Sequence, residues 1–291
     1  MNFRWSDVLI WPTCRPLLAV AVLLAAPGLL VADDGVTAVG SSVEAGGALA
    51  LTESQREAAA LLKDMTEYLA GLQNFTVAFR SGYDVVQSSG QKIEFGETRR
   101  VTLSRPDRLR VEEIAGDGKR DLAIFDGRNI SVLDADADVF AQAPQPPLLD
   151  DALAYFVRGL RIRMPLALLL TTSLPSALPG RVKTIDYVES TEILGAPTHH
   201  IAGRTENVDF QFWIEKGEQP LPLRVVITYK LSPGEPQFWA NFADWNTSPS
   251  IEKSTFVFVP PPGARQIPFA VQVRSAIESP PAPAGNEEGA P

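Results

Sequence analysis

From Asn74 to Asn246 apolar residues recur at a period of two, and this constrains the fold more than any other feature of the chain. Successive strand side chains point to opposite faces, so a period of two means strands, and turn signals between them mean hairpins. "NFTVAFRSGYDVVQ" (74–87), "QKIEFGETRRVTLSR" (91–105) and "DRLRVEEIA" (107–115) read as three successive strands. "GDGKR" from Gly116 and "DGRN" from Asp126 read as turns around a short buried strand, "DLAIF". "ISVLDADADVFAQ" completes that meander. Farther on, "RVKTIDYVESTEILG", "APTHHIAGRT", "VDFQFWIEK", "LPLRVVITYKL" and "PQFWANFADWNT" repeat the pattern, and "STFVFVPPPGARQI" ends in prolines. Hairpin links make the sheet antiparallel, and a twisted sheet of about eleven strands curls.

Two breaks in the period supply the helices. "LTESQREAAALLKDMTEYLAGL" opens the patterned region with Thr52 and Gln55 in capping-box positions. Leu61, Met65, Leu69 and Leu72, with Tyr68, recur at helical spacing, and Gly71 stands where a helix stops. The second break follows Pro144–Pro147. "PLLDDALAYFVRGL" sets Leu148, Leu149, Leu153 and Phe156 at helical spacing, with Asp150 and Asp151 in the first turn. "PLALLLTTSL" (Pro165–Leu174, with Leu169) begins on a proline suited to a first helical position. The expected fold is α+β and mainly β: a strongly curved antiparallel sheet forming an unclosed barrel, with an N-terminal helix and a helical lid.

The strands after the lid raise a question of packing. A sheet with one face in water is apolar on one parity only. In "VDFQFWIEKGEQPLPLRVVITYKL" the residues Val208, Phe210, Phe212 and Ile214 share one parity, as do Val225, Ile227, Tyr229 and Leu231. Trp213 and Val226 put apolar surface on the other. "PQFWANFADW" sets Phe238, Ala240 and Phe242 against Trp239, Ala243 and Trp245. Either both faces are packed by protein, or one face lines a cavity.

The ends of the chain read as targeting and tail. Arg4 and Arg15 precede an apolar "LLAVAVLLAA" (Leu17–Ala26), extended to Ala32, which is the pattern of a secretory signal peptide over 1–32. An uncleaved anchor is the alternative, although the run is short of the about 20 residues of a membrane span. Residues 33–50 are small and Gly-rich, a flexible linker; 51–275 form the expected domain; 276–291 read as a disordered tail. The one cysteine, Cys14, precedes the apolar run, so a processed chain has neither disulfide nor thiolate chemistry. A net charge of −9 argues against nucleic-acid binding, which needs a basic surface.

"NFTVAFR" after an opening helix, "RPDRLRVE", "FDGRNISVLDADADVFAQ", "FWIEKGEQPLPLRVVITYK" and "FVFVPPPGA" resemble, in that order, the LolA/LolB-like lipoprotein-carrier superfamily. Within it they resemble a branch of predicted periplasmic proteins. Arg105, Pro106, Asp126, Gly127, Trp213, Pro222 and Leu223 take the motif positions, over about Leu51 to Ile267; Ile130–Val132 depart from it, where the family has an aromatic residue. The resemblance implies an unclosed, curved sheet with helices as a lid, holding acyl chains or lipids in the hollow. It implies a non-enzymatic periplasmic or secreted carrier whose partner is a lipid or lipidated protein, with room for transient membrane contact. Leu148, Leu149, Leu153, Phe156, Leu169, Phe210, Phe212, Ile227, Phe238 and Phe242 are then the cavity and lid candidates, and Arg108 and Arg110 the headgroup candidates.

Other polar clusters read more plainly. Arg99, Arg100, Arg105, Arg108 and Arg110, and Arg158, Arg161 and Arg163, either meet a phosphate or carboxylate or form solvated faces with acids such as Glu112 and Glu113. His199 and His200 are adjacent on a strand and point to opposite faces, so they read as structural rather than as a metal pair. Asp134, Asp136 and Asp138 start like a calcium loop, but Val139 and Gln145 stand where Gly and Glu are required. They read as a charged strand edge. No nucleophile elbow, zinc-protease motif, phosphate loop or dinucleotide fingerprint is present, so neither a cofactor nor catalysis is expected.

Overall fold

Twelve strands form one sheet whose order is β12-β6-β5-β4-β3-β2-β1-β11-β10-β9-β8-β7. The computed structural model describes residues 50–158, 166–193 and 195–269, apart from the side chains of 157 and 158. The expected signal peptide, nearly all of the linker, the tail, the side chain of Arg158, and Arg161 and Arg163 lie outside these residues. Helix α1 (Glu53–Gly71) starts at the predicted capping box: Thr52 accepts from the Gln55 backbone, and the Gln55 side chain returns the bond. Its deeply buried stripe is Ala58, Leu62, Met65 and Leu69. Leu62 therefore takes the place expected of Leu61, which is half-buried.

The first meander is β1 (Asn74–Val86), β2 (Lys92–Ser104), β3 (Arg108–Ala115), β4 (Arg120–Phe125), β5 (Asn129–Asp134) and β6 (Val139–Pro144). The second is β7 (Thr184–Ile193), β8 (Ala196–Arg204), β9 (Val208–Glu215), β10 (Pro222–Tyr229) and β11 (Gln237–Asn246). All these neighbours pair antiparallel, and β1 beside β11 joins the two meanders. The sheet does not close. One edge is β7; the other is β12 (Arg265–Gln266), a short strand parallel to β6.

The lid segment departs from two regular helices. Helix α2 (Leu149–Arg158) forms as expected. Of the Pro165–Leu174 stretch, Pro165 lies outside the described residues, and the rest instead gives a 3₁₀ turn over Ala167–Leu170, a break at Thr171–Ser173, and the start of a four-residue helix α3 (Leu174–Ala177). Proline recurs at 175, where it fits the start of α3, and Thr171 turns its hydroxyl back onto the Leu168 carbonyl, which ends the preceding turn.

The chain itself packs on the inner face of the sheet and on part of the outer one. Inside, α1 packs on β7 and β8 and against the lid turns. Outside β3–β6, the segment after β11 brings Phe256 into burial, sets the Phe258 ring tilted against Phe140 at 5.4 Å, and accepts from Arg110 on the Thr255 carbonyl. Outside β8–β11 the residues that break the polar parity interlock. The His200 and Trp213 rings stack at 4.0 Å, and the Arg224 guanidinium lies 5.4 Å from the Trp213 ring and 5.6 Å from the Trp239 ring. This surface needs no cargo to cover it.

Candidate functional site

Register pairing builds the inner wall row by row. Phe75, Leu103, Leu109, Phe125 and Ile130 stand opposite one another along β1–β5, and Val77, Val101, Val111, Ala123 and Val132 form the next row. The third row turns polar: Phe79, Arg99, Glu113, Asp121 and Asp134. Beyond it Ser81 faces Glu97 and donates to it at 3.0 Å. The wall of the half-barrel therefore has a wide apolar band and a narrow charged one.

The lid lies on the apolar band and leaves two small gaps. One, of about 20 Å³, is bounded by Leu109, Val111 and Phe125 on the wall and Leu149, Leu153 and Phe156 on α2. The other, of about 40 Å³, is bounded by Phe75, Phe79, Phe242 and Trp245 on the wall and by Leu166 and Leu169 of the lid. Among the described residues Arg99 is the charged side chain that borders it. Val111 belongs to both gaps, so they are neighbours along one trough. Such volumes admit a water molecule or two, far less than an acyl chain. The hollow is filled by its own lid.

Among the described residues few polar ties hold that lid. Asp150 of α2 accepts from the backbone N–H groups of Thr172 and Ser173 and from the Thr172 hydroxyl. Leu149 donates its N–H to the Pro106 carbonyl, which pins the start of α2 to the β2–β3 turn. Arg105 donates to the carbonyls of Leu72 and Leu69 at the end of α1 and to Leu170 in the lid. Burial pulls the Arg105 guanidinium down from its ordinary value, and Asp150 opposes that. A cation at the carbonyl end of a helix is favourably placed.

The charged band is a connected network. Arg99 meets Glu97 at 2.9 Å and Glu113 at 3.0 Å, with little of the three side chains exposed. Burial works against the Arg99 charge, but Glu113 and Glu97 outweigh it and raise its proton affinity. Burial pushes the Glu113 carboxyl up to about 8; Arg99 opposes this, and Glu97 and Asp121 add to it.

The predicted site residues divide. Leu149, Leu153, Phe156, Leu169 and Phe242 border the gaps. Phe210, Phe212 and Phe238 are buried in the core and Ile227 packs against it, away from the gaps. Leu148 is half exposed and outside the lid's buried face, because it precedes the first turn of α2. Arg108 and Arg110 alternate with the inward Leu109 and Val111 and so face outward. Arg108 pairs with Asp107; Arg110 pairs with Glu112 and the Thr255 carbonyl.

Two further expectations are corrected. Parity sets Trp245 on the Trp239 face, yet it lines the inner gap. Pairing runs from Ala78 opposite Ala243 to Thr76 opposite Asn246, with Asp244 at φ 53°, so one extra residue flips the end of β11. Asp134, Asp136 and Asp138 are no strand edge: Asp134 is buried and caps the N–H groups of Asp136 and Ala137, and Asp136 caps Arg120. Among the described residues no group of acids and histidines is set to hold a metal ion, and no helix is long and apolar enough to cross a membrane. His199 meets the Tyr187 hydroxyl and His200 meets Gln211, which are structural roles on opposite faces.

Residues bordering the gaps that the sequence reading does not single out include Phe75, Val77, Phe79, Val101, Leu109, Val111, Phe125 and Leu166; Arg99 is grouped there with the other arginines, and Trp245 is set on the opposite face. The signal for all of these but Leu166 and Trp245 is parity: each sits in phase with a strand already identified.

Fold and site together define a half-barrel whose inner trough is closed by a helical lid. The chain belongs to the family described as "Predicted periplasmic protein (DUF2092)", whose model matches residues 58–270. That is the branch the motif order pointed to. No curated protein matches. Solved structures of similar outline include an uncharacterized conserved protein from Thermus thermophilus, 11% identical, covering 73% of this chain and 99% of that one at a TM-score of 0.43. The lipoprotein LppX of Mycobacterium tuberculosis is 14% identical, covering 68% and 100% at 0.43. A LolA superfamily protein from Nitrosomonas europaea is 11% identical, covering 69% and 97% at 0.34. At these scores the likeness carries no weight for function.

Proposed function

We propose that this is an exported, non-enzymatic carrier that takes an acyl chain, lipid or lipidated protein into the trough between sheet and lid. The observation that supports it is the wall itself. Two full rows of apolar side chains run across five strands, faced by described lid residues that few polar ties hold. The lid fills the trough when it is empty, and a ligand replaces Leu153, Phe156, Leu166 and Leu169 against the wall. Each buried methylene then contributes about 0.8 kcal/mol, which offsets the cost of withdrawing the lid. Because the bound state differs from the free one by lid position, affinity depends on the population of the open lid. Cleavage of the signal at its small-residue site releases the carrier into the periplasm, with transient membrane contact during loading.

Solvent extraction of the processed protein, purified from its own envelope, followed by mass spectrometry, tests this. Co-purifying lipid is the expected result, and the stripped protein should bind a neutral apolar fluorophore. A clean extract together with no fluorophore binding leaves the second reading, an envelope interaction module with a packed interior. The smallness of the two gaps, about 20 and 40 Å³, is what favours that alternative.

A further inference from the structure

We propose that Arg224, Arg80 and Arg100 form an anion site on the outer face of the sheet and that its ligand is a phosphate group. Cross-strand register sets Trp213, Arg224, Asn241, Arg80 and Thr98 in one row over β9, β10, β11, β1 and β2. Their chain neighbours Phe212, Val225, Ala240 and Phe79 are buried in the core, so the row faces outward. Arg100 stands diagonally across from Arg80, opposite Ala78.

Arg224 is the fixed member. Its guanidinium lies 5.4 Å from the Trp213 ring centre and 5.6 Å from that of Trp239, and its Nη1 donates to Asn241 Oδ1 at 2.7 Å. The two rings are themselves held. His200 stacks on Trp213 at 4.0 Å, and the Trp239 indole lies over Gly82 and donates to Glu94 at 2.9 Å. Among the described residues the other N–H groups of Arg224 have no hydrogen-bond partner. A planar fork already held in place loses little freedom on meeting an anion.

Arg80 and Arg100 add charge. Both are exposed, and among the described residues neither side chain makes a hydrogen bond or an ion pair. The residues beside Arg80 on its own face are Ala78, Gly82, Asn241 and Thr98, none of them acidic. Carboxylates at the margins are engaged: Glu112, opposite Arg100, meets Arg110 at 2.9 Å, and Glu94 takes the Trp239 N–H. The chain has 35 acidic and 26 basic residues, so three arginines gathered with no acid among them run against its composition. Their mutual repulsion is relieved by an anion placed between them.

Number and spacing select the ligand. Neighbouring strands lie about 4.8 Å apart, so Arg224 and Arg80 are rooted about 10 Å apart with Asn241 between them. One guanidinium fork satisfies the two oxygens of a carboxylate. A phosphate carries more oxygens and more charge, and several guanidiniums can share it. The site lies on the face opposite the trough, so it stands whether or not the trough takes a lipid.

Side-chain NMR of the ¹⁵N-labelled processed protein, titrated with inorganic phosphate in chloride buffer, tests the site. The Arg224 Nε–H and Trp239 Nε1–H resonances should shift saturably, and acetate should bind at least about tenfold more weakly. Arg80→Gln and Arg100→Gln, which remove no contact within the described residues, should each weaken phosphate binding by about tenfold. Trp239→Leu should weaken it with every charge retained, and Arg265→Gln, at the far edge of the sheet, should leave it unchanged. Flotation with phosphatidylglycerol vesicles identifies the source. Flotation lost in Arg80→Gln assigns the phosphate to a lipid headgroup; free phosphate bound without flotation assigns it to a soluble phosphate. No saturable shift, acetate equal to phosphate, or unchanged affinity in the Arg80→Gln, Arg100→Gln double variant overturns the proposal. Lipid extraction and fluorophore binding read the other face, so their failure would sink the carrier function without touching this result.

Discussion

Gly82 shows how a single residue can carry information about a neighbour. A Cβ built there would stand 2.7 Å from the Trp239 indole, which lies across the strand at that point. Glycine inside a strand often marks such an approach. Gly82→Ala should cost about 1–3 kcal/mol in urea unfolding, with the loss reduced when Trp239→Leu is added. Phe156→Ala, which empties the centre of the α2 packing, should cost about 3–5 kcal/mol by the same measurement. Much was legible at this scale: parity assigned Phe242 and the 210–214 set to the inside. Trp245 was not legible, since a bulge flips parity without changing composition. Nor was the inward role of Arg99. A charged residue in phase with an apolar stripe reads as solvated until its partners Glu97 and Glu113 are seen on the same face.

At the scale of elements, period and capping fixed α1, α2 and both meanders to within a few residues. The second lid helix fails because apolar composition is not periodicity: "PLALLLTTSL" is apolar enough for a buried helix yet too short and too interrupted to propagate one. What holds that piece in place is polar. Asp150→Ala removes the acceptor of three N–H and O–H bonds around Thr172 and should loosen residues 166–174. A cost of about 1–2 kcal/mol in stability is expected, with faster amide exchange there and little change in β8–β10. Arg105→Ala should loosen the same turn together with the end of α1, because one guanidinium serves both. Arg105→Lys should restore only part of this, since a point charge cannot reach three carbonyls in a fork.

At the scale of the molecule, the outer face of β3–β6 depends on chain that comes last. Ile124, Leu133 and Phe140 are buried on that side, and Phe256 and Phe258 cover it. A chain ended after Ser250 should therefore lose the cooperative unfolding transition or aggregate on purification, whereas one ended after Phe269 should melt like the full-length protein. Calorimetry on the two truncations separates these outcomes. The covering role was illegible in "STFVFVPPPGARQI": the pattern shows a proline-ended apolar segment, and only the fold reveals which surface it meets.

The seam between β1 and β11 also has a kinetic consequence. Each meander can zip up from local turns, but the sheet becomes one body only when Thr76 finds Asn246. Closing so long a loop is entropically expensive and brings no reward until the strands register. Refolding should thus show two hairpin arrays assembling early and a slower final docking. During that interval the bare flanks of β1 and β11 are exposed to other molecules, so refolding yield should decline with protein concentration.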